Sequence, residues 1–276
     1  MSTPGTQIAK ALRFRALHEG PGAFVIPNVW DAGSARIVAG LGFAALATSS
    51  GACAGTLGRR DGHVTREEAI AHGRAIAEAT DLPVSADLEK GFGDAPEDAA
   101  ETIRRAAQAG LAGGSIEDAS GDRAQPIYAI GHAAERIAAA AEAARSAPFA
   151  FMLTARAENF LHGRADLDDT IRRLQAFEKA GADVLFAPGL PDLAAVRSVC
   201  KAVSKPVNFM VGIRGKSFTL AELDAAGVRR VSLATSLWRA AMTSLVEAAR
   251  EVRERGTFGY LDRTQPTAEL SRFLRG

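Results

Sequence analysis

A repeat of character rather than of residues constrains this chain most. Short apolar runs recur along it, and each is followed by a helix-like segment rich in Ala, Arg and Glu. The runs are 24–28 (FVIPN), 43–49 (FAALATS), 83–89 (PVSADLE), 113–118 (GGSIED), 149–156 (FAFMLTAR), 182–187 (ADVLFA), 205–211 (KPVNFMV) and 229–235 (RRVSLAT). Their apolar character is nearly continuous, as expected of strands covered on both faces; a sheet with one wet face would alternate. Such strands run parallel and are joined by helices. The connecting segments carry their own punctuation. Thr65 and Glu68 have capping-box spacing, Asp94 reads as an N-cap ahead of a first-turn Pro96, and Leu167, Ile171 and Leu174 mark one helix face. Gly110 and Gly181 stand where helices over 94–109 and 166–180 should stop. Eight strand–helix units in roughly 250 residues match an α/β fold of the (β/α)8 TIM-barrel type better than a doubly wound sheet of five or six strands.

With 276 residues, 47% of them hydrophobic, the chain is long enough for one full-sized core. A single barrel domain over 1–276 is expected, with a helix over 3–19 closing the bottom and a last helix and tail in 236–276. Lys and Arg total 33 against 32 Asp and Glu, without a block of like charge, so neither a nucleic-acid surface nor a polybasic membrane patch is expected. The expected partner is a small molecule. Cys53 and Cys200 form no CxxC motif, no apolar stretch reaches about 18 residues, and Lys10, Arg13 and Arg15 interrupt the N-terminal segment. These features predict a cytoplasmic protein.

In a barrel of this kind the chemistry sits at the carboxyl ends of the strands. Asp87 and Glu89 end the third run, Glu117 and Asp118 the fourth, Arg156 and Glu158 the fifth, and Asn208 falls in the seventh. Strand alternation puts Asp87 and Glu89 on one side with Leu88 opposite, and pairs Arg156 with Glu158 in the same way. Asp87, Glu89 and Glu117 are thus expected to converge at one mouth. Carboxylates pressed together need a cation, and an all-oxygen set suits Mg2+ or Mn2+, one acid binding directly and the others holding waters. Arg156 is either the fork for a substrate carboxylate or a structural ion-pair partner. The segment from Thr48-Ser49-Ser50-Gly51-Ala52 to Asp61 is small enough for backbone N–H groups to approach an anion, or is a plain turn.

Taken together, Pro27-Asn28-Val29-Trp30-Asp31-Ala32, the Ser/Gly-rich second strand ending at Asp61, SADLEKGFG, GGSIEDAS, TARAEN and GVRRVSLATSLWRAA resemble the isocitrate lyase/phosphoenolpyruvate mutase superfamily over nearly the whole chain. The resemblance implies a Mg2+-dependent barrel enzyme that stabilises an enolate while a bond to the adjacent carbon or phosphorus breaks or forms. It also implies a last helix swapped between subunits and a homotetrameric dimer of dimers. By resemblance Asp87 is the principal metal ligand, Glu89 and Glu117 complete the metal set, and Asp61 is a further acid near the metal's waters. Ser49, Ser50 and Gly51 fall where the substrate carboxylate is held, Arg156 matches the substrate-binding arginine, and Trp30 takes the place of an aromatic lining the site. The lyases' loop cysteine, in KKCGH after the fourth strand, has no counterpart in GDRAQPIYAIGHAAERI. The expected reaction is decarboxylation or C–C cleavage of a short 2-oxo or 2-hydroxy dicarboxylate, with Asn208 in the substrate site and water or Glu158 returning the proton. The alternatives are a P–C bond enzyme of the phosphonopyruvate hydrolase or phosphoenolpyruvate mutase kind and a non-catalytic metabolite-binding barrel. A Schiff-base aldolase would have only Lys90 as its amine.

Overall fold

Each of the eight apolar runs forms a strand in the computed structural model, which describes residues 4–274. The strands are β1 (Phe24–Ile26), β2 (Leu46–Ala47), β3 (Val84–Asp87), β4 (Gly113–Glu117), β5 (Met152–Arg156), β6 (Val184–Phe186), β7 (Val207–Met210) and β8 (Arg230–Ser232). All pair in parallel, in the order β1-β8-β7-β6-β5-β4-β3-β2. A parallel bridge between Asn28 and Ala47, with Val29 N–H on the Ala47 carbonyl at 2.8 Å, joins the two ends. The sheet thereby closes into the expected (β/α)8 barrel, although every strand is shorter than its apolar run.

The helices are α1 (Pro4–Glu19), α2 (Ala32–Gly40), α3 (Ser50–Thr56), α4 (Arg66–Ala79), α5 (Pro96–Gln108), α6 (Ile130–Arg145), α7 (Leu167–Lys179), α8 (Leu193–Ala202), α9 (Leu220–Ala225), α10 (Ser236–Arg255) and α11 (Thr267–Ser271). Thr65 and Glu68 form the capping box of α4 as expected. The α5 start differs: Ala95 is the N-cap, Asp98 accepts the Ala95 N–H, and Asp94 instead accepts from Lys90 and the Tyr128 hydroxyl. Ala99, Ala100, Ile103, Ala106 and Ala107 turn one face of α5 into the core. No helix among the described residues is long and apolar enough to cross a membrane.

Helix α1 plugs the bottom of the barrel. Phe14 is fully buried there with Ile26, Ala45, Ala112, Met152 and Val184. A β-carbon at Gly113 would lie 2.9 Å from Phe14 Cε1 and 2.7 Å from the Met152 carbonyl oxygen, so this strand position admits only glycine. Lys10 is buried and donates to the carbonyls of Ala77 and Thr80 at the end of α4. His18 lies between Phe14 and Phe24, and burial, reinforced by the nearby Arg230 cation, pushes its pKa down to about 3. The unfolded chain takes up this proton near the usual 6.5, so the contribution of His18 is intact above pH 6.5 and is lost as pH falls toward 3. Urea unfolding should lose about 1.4 kcal/mol per pH unit from this group below about pH 6, and His18→Gln should reduce the slope by one proton.

At the other end of the chain, α10 has no buried residue, and Leu245, Val246 and Val252 are exposed, as are Phe258 and Leu261 beyond it. Residue 3 of the expected first helix and residues 275–276 of the expected tail lie outside the described residues.

Candidate active site

The carboxyl ends of the strands open into a cavity of about 300 Å3. Ser49, Ser50, Asp61, Asp87, Arg156, Thr235 and Arg239 line it, together with Leu161, Phe186 and Met210. Asp87, the last residue of β3, is held from several directions. Its backbone N–H donates to Thr48 Oγ1 at 3.0 Å, and its carboxylate accepts Ser50 N–H at 3.2 Å, Glu89 N–H at 3.3 Å and Arg156 Nη1 at 3.0 Å. Arg156 ends β5 with its guanidinium 5.2 Å over the Phe186 ring. Besides Asp87 it contacts Glu117 Oε2 at 3.2 Å and donates from Nε to Glu158 Oε1 at 2.8 Å. The Arg156 side chain is 12% exposed. Burial opposes its charge, yet Glu158, Glu117 and Asp87 together hold its pKa well above the ordinary value.

The acids converge, but on Arg156 rather than on a shared gap. Among the described residues no three His, Cys, Asp or Glu side chains form a ready-made metal-ligand set. Part of the cation that these carboxylates need is thus supplied by the protein, Arg156 pairing with Asp87 and Glu117. Glu89 departs from strand alternation as well: β3 ends at Asp87, and Glu89 adopts φ 49°, in the left-handed region. It turns out of the main cavity into a small pocket with Cys53, Val64, Ala69 and His72 that shares Asp87 as a wall. Burial and the carboxylates of Asp87 and Asp61 push Glu89 up to about 7, and burial likewise raises Glu117 well above the usual range.

The remaining expected site residues divide. Asp61 is exposed at the mouth, and a β-carbon at Gly51 would lie 3.0 Å from Thr235 Cγ2 and 3.2 Å from Asp61 Oδ2, so glycine permits this close approach. Ser49 caps α3, and Ser50 gives its N–H to Asp87. Trp30 does not line the cavity; its carbonyl accepts from His72 Nε2 at 2.8 Å, and the chain turns at Asp31 into the capping box of α2. His72 is half-buried through the same contact. Glu158 pairs with Arg156 as alternation requires, but it is 2% exposed and does not line the cavity, so it stands behind Arg156 and not beside a ligand. Asn208 lines the cavity with its amide engaged at both ends, Nδ2 donating to Ser232 Oγ and Oδ1 accepting from Arg230 Nε. Lys90 is tied to Asp94 and to the Ser120 carbonyl and is not a cavity residue.

Sequence reasoning missed Arg239, Arg230, Ser85, Ser115 and Ser232, all of which line the cavity. A signal existed in the parity of the strands. Ser85 precedes Asp87 by two residues, Ser115 precedes Glu117, and Arg230 precedes Ser232, so each pair faces the same side.

An oxygen-only set with excess negative charge fits a hard divalent cation. Arg156 is shared by three carboxylates, while neither Glu89 nor Asp61 has an ion-pair partner among the described residues. Of the three acids expected to form the metal set, Asp87 lines the cavity, while Glu89 and Glu117 do not. Both thiols are held neutral, burial pushing Cys53 and Cys200 up to about 11. Cys53→Ser and Cys200→Ser are accordingly expected to leave kcat within about threefold of the parent, assayed on whichever substrate turns over.

The family model for phosphoenolpyruvate phosphomutase matches residues 14–253. A solved structure from Burkholderia cenocepacia J2315, assigned provisionally as a lyase or mutase, is 51% identical with a TM-score of 0.96, covering 99% of this chain and 98% of that one. The 2-methylisocitrate lyase of Escherichia coli (strain K12) is 30% identical over 258 residues, 90% of this chain and 85% of that protein. The oxaloacetate decarboxylase of Bradyrhizobium diazoefficiens is 32% identical over 202 residues, 71% and 68% of the two chains.

Proposed function

Because the chain belongs to the isocitrate lyase/phosphoenolpyruvate mutase superfamily, whose members are carbon–carbon lyases and mutases, we propose that it is a Mg2+- or Mn2+-dependent lyase or decarboxylase acting on a short 2-oxo or 2-hydroxy dicarboxylate. The observation that carries this reading is the Asp87–Arg156 pair at the cavity wall, an anchored carboxylate next to a guanidinium that still has unspent donors. Three of the five Arg156 N–H groups are engaged by Asp87, Glu117 and Glu158, which leaves two for a substrate carboxylate. Asp87 would hold the ion directly, with Glu89 and Glu117 on its waters. When bound, the ion supplies positive charge opposite the oxygen on which the enolate's charge develops.

The chain's own groups supply the rest. Glu117 and Glu158 fix the plane of the guanidinium, so the substrate carboxylate meets a preset fork. Ser49 and Ser50 bound the cavity at the same level, and Leu161, Phe186 and Met210 keep part of it dry. Asp61, open to solvent at the mouth, is the acid placed to exchange a proton with the product through water; Glu158 is not, since it faces away from the cavity. No thiol takes part.

The match to a phosphomutase family model favours one second reading, cleavage of a phosphorus–carbon bond. Purified protein with Mg2+ assayed against oxaloacetate, 2,3-dimethylmalate, 2-methylisocitrate and phosphonopyruvate, each above its uncatalysed background, separates the two. Release of 2-oxo acid from one of the first three is the expected result; turnover of phosphonopyruvate alone would replace the first reading with the second, and tight binding without turnover would favour a metabolite-binding barrel.

The exposed apolar face of α10 supports a homo-oligomer in which that helix packs on a second copy, and a dimer of dimers is the assembly proposed. Light scattering should give about four times the chain mass, and Leu245→Glu should lower it; a monomeric parent would contradict the assembly.

A further inference from the structure

Below the level of Arg156 the cavity continues into the barrel, and its walls change character. The deep lining includes Arg230, Ser85, Ser115 and Ser232. Arg230 is 5% exposed and, among the described residues, is held by neutral groups only: Nε donates to Asn208 Oδ1 at 2.8 Å, Nη2 to Thr154 Oγ1 at 2.9 Å, and Nη1 lies 3.5 Å from His18 Nε2. Among the other buried arginines, Arg156 has three carboxylates and Arg173 has Asp118 and Asp169; Arg136 also rests on neutral groups, the carbonyls of Lys90, Gly93 and Ala95, but it does not line this cavity. A buried cation without a counter-ion is costly, and the fold holds this one against a cavity.

The hydroxyls at this depth have the same imbalance. Ser85 and Ser115 are 6% and 8% exposed, and neither Oγ makes a hydrogen bond among the described residues. Ser232 Oγ accepts from Asn208, so its own proton is free to donate. Thr154 lies two residues before Arg156 on β5, which puts its Arg230 contact about 7 Å farther down the strand. A guanidinium and several hydroxyl protons without acceptors, on a shared cavity with the Asp87–Arg156 pair above, call for one anionic group.

We propose that Arg230, with the hydroxyls of Ser85, Ser115 and Ser232, forms a carboxylate subsite inside the barrel that receives the end of the dicarboxylate remote from the reacting centre. The assignment rests on the reading of the upper cavity as the place where the reacting end is held. It makes Arg230 the residue that selects dicarboxylates over monocarboxylates, and it gives Asn208 the role of aiming the guanidinium.

Calorimetry on the intact protein with Mg2+ tests this with two probes, oxalate for the upper site alone and succinate for both. Arg230→Met, which keeps volume and removes charge, should weaken succinate at least ~30-fold and leave oxalate within about twofold. Should Arg230→Met fail to fold by circular dichroism, the double substitution Ser85→Ala with Ser115→Ala serves in its place and should weaken succinate selectively by about tenfold. Unchanged succinate affinity in a folded variant, or parent protein that binds oxalate but not succinate, overturns the subsite. Loss of oxalate binding to the parent would instead count against the upper site, while Arg230-dependent succinate binding would still support the lower one.

Discussion

Arg156→Ala is expected to lower kcat by about 10²–10³ and to destabilise the fold by about 3–5 kcal/mol. Both effects have one origin. Among the described residues the guanidinium is the only cation paired with Asp87, Glu117 and Glu158, so its removal leaves three carboxylates in a mostly buried cluster and takes away the fork offered to the substrate. Glu158→Gln separates the two effects. It keeps a hydrogen-bond acceptor for Nε without touching the cavity, so it should cost less stability and leave metal-dependent oxalate binding intact. Arg156→Lys should recover part of the stability and little of the activity, because an ammonium cannot meet three carboxylates and a ligand in one plane. Urea unfolding and turnover measured on the same preparations check this; an Arg156→Ala protein with parental kcat would remove the arginine from the mechanism.

Phe14→Ala should cost about 3–5 kcal/mol with no direct effect on the site. The ring fills the barrel bottom against Ile26, Met152 and Val184 and abuts Gly113, where no β-carbon could take up the lost volume. The urea midpoint should fall with little change in its slope, and KM at low temperature should stay near the parental value. A loss of less than about 1 kcal/mol would mean that α1 is not the plug described.

The barrel was legible because its cause is local. Near-continuous apolar runs, the Thr65–Glu68 cap and the glycines that stop the helices depend on neighbours a few residues away. The site was half legible for the same reason. Alternation put Arg156 beside Glu158 and Asp87 at the cavity correctly, but it carried Glu89 into the main cavity, since a left-handed residue after a strand leaves no mark in a pattern of period two. Asp94 was misread because Lys90 and Tyr128, the latter from the β4–α6 connection, compete for its carboxylate. The sharing of Arg156 among acids from β3, β4 and the β5 end depends on closure of the barrel, which no single segment encodes. Arg230 was hidden in plain view: beside Arg229 it reads as charge at a strand start, and only the closed barrel turns it inward.

In the function proposed, Asp87 would hold the divalent ion needed to bind the reacting end of a small dicarboxylate. Calorimetric titration of oxalate into the protein, with Mg2+ and with chelator, measures this directly, and Asp87→Ala is the matched control. Oxalate binding is expected to require Mg2+ and to fall at least ~100-fold in Asp87→Ala, while the variant unfolds within about 2 kcal/mol of the parent. Oxalate binding of equal strength in chelator, or undiminished in Asp87→Ala, would contradict it.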